Sequence, residues 1–187
     1  ANTDSGTYGG YLCEPAATQI LTNTRDLSQA AWVKTNTTAA LTSTGIDGTG
    51  SSCSRVTGAV AINGTCLQTI TAAASSRTFS AFVKRITGTG AITLNCGASS
   101  LAITNLINTA TFTLVQLTDS TLNASVGFTI ATVGDAIDVD CTQFEANPFA
   151  TTPIPAAGSR NADVLSYVTS GNQSDTMGTA YLEVLAT

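Results

Sequence analysis

Apolar and polar residues alternate at period two through most of this chain. In TFSAFVKRI, Phe79, Ala81 and Val83 fall on one side and Phe82 on the other; in AITLNC, Ile92, Leu94 and Cys96 share a side. ATFTLVQLT and SVGFTIA alternate in the same way. So does the run in which Ile137, Val139 and Cys141 alternate with Asp138, Asp140 and Thr142. This period marks half-buried β-strands. CSRVTGAVAI and TCLQTIT flank Asn63-Gly64, a pair that favours a two-residue hairpin because both turn positions need positive φ. About eight to ten short strands separated by turn residues predict an all-β antiparallel sandwich. Helix is expected only as one short turn within Asp26 to Trp32. Residues 35–50 read as a polar stretch that turns at Ile46-Asp47-Gly48.

The chain is organised around residues 136–155. Their strand is expected to be the last of the core, ending at Phe144, after which Pro148, Pro153 and Pro155 stop any regular element. Phe144 and Phe149 are expected to be buried and, with Pro153, to pin the exit. Residues 1–12 read as an extended arm whose Tyr8 and Tyr11 dock on the body or on a neighbouring subunit. Residues 13–158 form the sandwich, and 159–187 a short C-terminal β appendage or the start of a second domain. That appendage holds a strand at 162–168 and TAYLEVLAT, with Tyr181 as an assembly contact. A two-strand tail is not stable alone, so it must pair on the sandwich, open a second domain or add to another chain. Trp32, the single tryptophan, has two readings: a core plug against a sheet edge, or an exposed platform on which a sugar stacks.

Composition narrows the function. Charged residues make up 10% of the 187, against a usual quarter or so, and 34 threonines suit strands better than helices. A net charge of −5 with seven Lys and Arg argues against nucleic acid, whose phosphates need a basic surface. No apolar run approaches the length of a membrane span, and the start ANTDSG does not read as a signal peptide. Histidine is absent, which removes a Ser-His-Asp triad, and Gly88-Thr89-Gly90 lacks the lysine and helix of a phosphate loop. Asp138 and Asp140 read as a solvated strand face rather than the carboxylate pair of a glycosidase. The chain is therefore read as a non-enzyme whose many hydroxyls and amides suit a neutral ligand, glycan or protein. The five cysteines show no metal spacing. They are either buried free thiols or form one or two disulfides, with Cys96 and Cys141 the first pair to test.

Three stretches carry a resemblance: ILTNTRDLSQAAWVKTN at 20–36, RTFSAFVKRITGTG at 77–90, and VDCTQFEANPFATTPIPAAGSRNADVL at 139–165. Together they resemble the jelly-roll, carbohydrate-binding-module-like domain of tail, fibre and other structural proteins of tailed bacteriophages. That domain closes roughly on GAQLEAGxFATSYIPT followed by TRAAD. Here Gln143, Phe144, Glu145 and Ala146 match QLEA, Phe149 to Thr152 match the next piece, and Arg160 to Asp163 match the exit. The resemblance implies a jelly roll in a non-catalytic virion structural protein, acting in fibre or spike adhesion to surface glycans. Capsid decoration, or a carbohydrate-binding module of a secreted cellular protein, are its alternatives. It further implies other virion proteins as partners, a homotrimer, and residence in the extracellular particle. A structural calcium between the N-terminal segment and the last strand is also implied, for which Asp26 and Asp140 stand in the matching places. One departure is that the family's usual aromatic before the penultimate strands is replaced by Thr111-Phe112.

Overall fold

The computed structural model describes residues 14–154 and 158–163. Tyr8, Tyr11 and Tyr181, the arm, Cys13 and most of the appendage, its two expected strands included save Ala162 and Asp163, lie outside the described residues. Glu14–Ala162 form one compact unit.

Two five-stranded antiparallel sheets face each other. The first runs in the order β2 (Val33–Thr35), β5 (Gly64–Thr69), β10 (Ser125–Ile130), β7 (Ile92–Cys96) and β8 (Ser99–Ala102). The second runs β3 (Thr37–Ser43), β4 (Cys53–Gly58), β11 (Ala136–Glu145), β6 (Arg77–Thr87) and β9 (Thr113–Asp119). A short ladder, a separate two-stranded sheet, joins β1 (Ala17–Thr18) to β12 (Ser159–Arg160). From β4 to β7, and again from β8 to β11, each connection crosses from one sheet to the other. This is an antiparallel β-sandwich of jelly-roll type, with no helix among the described residues.

The crossing corrects the expected hairpin. Asn63 does adopt the left-handed turn conformation, at φ 57°, but β4 and β5 belong to opposite sheets. Asn63 N donates to Ala131 O instead, and Gly64 pairs with Ile130. The tight hairpin is at Gly97-Ala98 between β7 and β8, where Cys96 pairs with Ser99 and Gly97 takes φ 58°.

The inner faces close a single core. Phe79, Ala81 and Val83 are fully buried, as their spacing predicts. Phe79 meets Phe128 of the other sheet edge to face, at 5.9 Å between centroids. Such a pair adds about 0.5–1.5 kcal/mol beyond the area it buries. In β11, Ile137 and Val139 face this core, and a bulge between Asp140 and Gln143 then shifts the register by one. Cys141, at φ 47°, carries the strain of the bulge. The shift reverses parity, so Phe144 rather than Gln143 or Glu145 faces inward, paired with Phe79 and 1% exposed.

Two expectations fail on this strand and just beyond it. The Asp138–Asp140 face is not solvated: the two are 2% and 0% exposed. β11 lies in the middle of its sheet, and side chains and loops cover its outer face. Phe149 is not buried but 48% exposed, because the chain after Glu145 folds over the outside of the sheet and holds itself there by backbone and polar groups. Cys53, Cys66 and Cys96 are buried, Cys141 is half-buried, and all four are free thiols, with no bond between Cys96 and Cys141.

Candidate functional site

The N-terminal segment and β11 meet at Arg25. Its Nε and Nη2 donate to Asp140 Oδ1 and Oδ2 at 2.7 and 2.8 Å, its Nη1 to Asp47 Oδ2 at 2.9 Å, and its Nη2 to Ser52 Oγ at 3.1 Å. Ile46 N and Cys141 N also donate to Asp140, both at 2.8 Å. Gly45 is required here, since a Cβ would run into Arg25 Nη2, Ser52 Oγ and Asp140 Oδ2. Bonds to Asp140 and Asp47 raise the pKa of Arg25 above its ordinary value, so it stays charged. The loop at 44–52 is thereby tied onto the outer face of the second sheet.

Asp26 is engaged separately. It accepts from Ser28 N, Ser28 Oγ and Gln29 Nε2. Partial burial works against its charged form, but these bonds together hold its pKa below the usual carboxylate range. The short helical turn expected here does not form; the segment closes a non-helical turn instead, with Trp32 N donating to Gln29 O at 3.1 Å. Lys34 Nζ donates to the carbonyls of Leu27, Ser28 and Gln29 at 3.4, 2.8 and 2.9 Å. These donors do not fit calcium at Asp26 and Asp140. A hard cation wants six or more free oxygens, whereas guanidinium and amide protons occupy Asp140 and an ammonium occupies the carbonyls. Among the described residues no group of three or more Cys, Asp or Glu side chains could hold a metal ion.

Trp32 is a core plug. It is 0% exposed and its Nε1 donates to Asn23 O at 3.1 Å, so no sugar can stack on it.

A different surface is open. The registers of β3, β4, β11, β6 and β9 set Ala40, Arg55, Asp138 and Lys84 in one row on the outer face. The next row holds Asp140, Phe82 and Leu114, and the next Gln143, Ser80 and Gln116. Arg55 donates Nε and Nη2 to Asp138 Oδ1 and Oδ2 at 2.9 and 3.2 Å, and Ser43 Oγ donates to the same Oδ1 at 2.8 Å. The carboxylate raises the pKa of Arg55. Lys84 Nζ stands 3.9 Å from Asp138 Oδ2 and 4.9 Å above the Phe112 ring.

Apart from Asp140, the second row and its margin are apolar. Phe82 and Phe112 are half-buried and Leu114 is 48% exposed.

The chain from 146 to 154 covers the lower part of this face. Asn147 O accepts from Thr78 Oγ1, Pro148 O accepts from Thr118 Oγ1, and Ala150 N donates to Gln116 Oε1. Thr151 N donates to Glu145 Oε1 and Ile154 N to Gln143 Oε1. Phe149 is thus carried at the β9 edge between two anchored residues, while Pro153, expected to help pin the exit, is exposed. Two loops, 44–52 and 146–154, bound a strip of Arg55, Lys84, Phe82, Phe112, Leu114 and Phe149. Sequence reasoning placed Phe82 opposite the core face but did not assemble the strip, since pairing across β4, β11 and β6 is invisible in any one strand.

A strip of this kind suits an extended polar ligand. Rings and a leucine offer flat apolar area, and convergent charged and amide groups at its margin fix orientation.

No family model matches the sequence, and no curated protein is similar to it. Solved structures do share the fold. The CBM22-1 xylan-binding domain of Xyn10C from Paenibacillus barcinonensis superposes with a TM-score of 0.52 at 11% identity, over 73% of this chain and 99% of that one. The CBM22-1–GH10 modules of Clostridium thermocellum xylanase 10B, complexed with xylohexaose, superpose with a TM-score of 0.50 at 14% identity, over 75% of this chain. This chain spans 30% of that protein. The enzymatically active domain of bacteriophage CBA120 tailspike protein 4 aligns over 67% of this chain and 21% of its own, at 13% identity and a TM-score of 0.44. The fold is that of carbohydrate-binding modules.

Proposed function

We propose that this chain is a non-catalytic structural protein of a bacteriophage virion, whose jelly roll binds surface glycans in fibre or spike adhesion. The observation that supports glycan binding is the open strip on the second sheet, with Leu114 and Phe149 each 48% exposed beside Arg55, Lys84 and Gln116. The phage setting rests on the closing motif at 143–163. A homotrimer, assembled through the arm and the C-terminal appendage with other virion proteins as neighbours, belongs to the same reading. No described helix is long and apolar enough to cross a membrane.

A second reading has its own observation. The chain aligns over 99% of a bacterial xylan-binding domain, which is equally consistent with a carbohydrate-binding module of a secreted cellular protein. The strip serves either role.

A glycan microarray probed with the wild-type chain and with Phe82→Ala and Phe149→Ala tests the binding claim. The expected result is a restricted set of bound glycans that both variants lose while remaining folded. Absence of binding to any glycan overturns it. Sedimentation velocity reports the trimer, and labelling of assembled particles distinguishes fibre, capsid and cellular origin.

A further inference from the structure

Two cations on the strip are positioned but not consumed. Arg55 commits Nε and one bond of Nη2 to Asp138, leaving Nη1 without a hydrogen bond among the described residues. Lys84 Nζ makes no hydrogen bond at all among them, only the 3.9 Å approach to Asp138 Oδ2. The contrast with Lys34, whose ammonium donates to three carbonyls, shows that this fold can satisfy a lysine completely. Lys84 is not so satisfied, yet its side chain is only 23% exposed; Phe112 on one side and Asp138 on the other hold it in place.

The carboxylate beneath them cannot be the ligand's own contact. Asp138 is 2% exposed, while the Arg55 side chain above it is 43% exposed. β4 and β6 flank β11, so the two cations start about 10 Å apart, two strand spacings, and lean toward one carboxylate between them. Two other carboxylates of this face are withdrawn as well. Asp140 and Glu145 are 0% exposed and bonded by Arg25 and by Thr151 respectively. Asp47, at the rim, is 45% exposed, but its charge is matched: Oδ2 accepts from Arg25 Nη1 at 2.9 Å and Oδ1 from Thr49 N at 3.0 Å. What a ligand meets on the strip is therefore two donor-rich cations beside an apolar patch, in a chain whose net charge is −5.

We infer that the strip selects a carboxylate-bearing glycan, a polysaccharide containing uronic acid residues, over a neutral one. Resting on the glycan-binding reading above, this names the chemistry of its ligand and departs from the neutral ligand that the charge-poor composition predicts. The free Arg55 Nη1 and the Lys84 ammonium take the uronate carboxylate through charge-assisted hydrogen bonds. Phe82, Leu114 and Phe149 take the C–H faces of the flanking sugars. Asp138 is a positioning residue that holds the guanidinium through Nε and Nη2.

The test is affinity electrophoresis of the full chain through gels of polygalacturonate, alginate, hyaluronan and glucuronoxylan. Each is paired with its carboxyl-reduced counterpart, which keeps the backbone and loses the charge. At least one acidic form should retain the protein ten-fold or more tightly than its reduced form, and the gap should shrink as salt rises. Arg55→Gln strips Asp138 of its main partner, so Lys84→Gln and the charge-keeping Lys84→Arg carry the decision, each checked by its melting transition. Lys84→Gln should lose most of the gap and Lys84→Arg should keep it. Equal or tighter binding to the reduced forms overturns the inference and leaves the glycan reading standing, as does a gap that Lys84→Gln leaves unchanged. Binding to neither form of any of the four overturns the inference, and a blank glycan array alongside it overturns the reading beneath.

Discussion

Arg25 grips Asp140 with two parallel hydrogen bonds, Nε to Oδ1 at 2.7 Å and Nη2 to Oδ2 at 2.8 Å. One guanidinium so joins the N-terminal segment, the loop at 44–52 and the central strand of the second sheet. Removing it leaves a carboxylate that is 0% exposed without a counter-charge. Arg25→Ala is therefore expected to cost about 3–5 kcal/mol in denaturant unfolding. Added calcium should not restore the loss, and chelator should leave the wild type unchanged. Replacing both partners by apolar residues of similar size, Arg25→Met with Asp140→Leu, should cost much less than Arg25→Ala alone. A wild-type midpoint that climbs with calcium would show that a metal, not the arginine, does this work.

The buried thiols set an alkaline limit. Burial pushes Cys53 and Cys66 up to about 12 and Cys96 to about 11. A thiol ionises near pH 8.5 in the unfolded chain, so between that pH and the folded value the native state holds the proton that the unfolded state has lost. Stability is complete below about pH 8.5 and falls as pH rises, by up to about 1.4 kcal/mol per pH unit for each such thiol. Thermal midpoints under reducing conditions should drop steeply from pH 9 to 11. Cys66→Ala should lower the midpoint overall but flatten its slope with pH; an unchanged slope would contradict the assignment.

Phe144 and Phe149, five residues apart, should separate cleanly. Phe144 is 1% exposed and packs against the core, so Phe144→Ala should cost about 3–5 kcal/mol. Phe149 is 48% exposed, and Phe149→Ala should cost under about 0.5 kcal/mol, as surface changes do, while weakening glycan retention. Urea titrations and binding measured on the same two variants check both halves.

How much of this was legible depends on where each element lies. β6 could be read outright, because Phe79, Ala81 and Val83 keep strict period two against a large buried face. β3 and β8 could not. They are edge strands that pack only Ala39, or Leu101, against the core, and TTAALTS and SSLA look like loop. The Asn63-Gly64 pair disclosed its backbone conformation but not its partners, since a left-handed turn can lead into either sheet. Asp138 and Asp140 alternate with apolar residues just as a solvated face would. Their burial comes from Arg25, Arg55 and two loops brought in from distant positions, 115 residues away along the chain for Arg25. The strip has the same origin. Its residues come from β4, β6, β9 and two loops, and only the register aligns them.

The central claim is that the open outer face of the second sheet is the ligand surface. Chemical-shift mapping of the labelled chain, titrated with the tightest-binding oligosaccharide from the array, tests it most directly. Shifts are predicted to cluster on Arg55, Phe82, Lys84, Phe112, Leu114 and Phe149, with Trp32 and the loops at the β4–β5 and β10–β11 ends unmoved. Shifts confined to those loops, or to the first sheet, would contradict it.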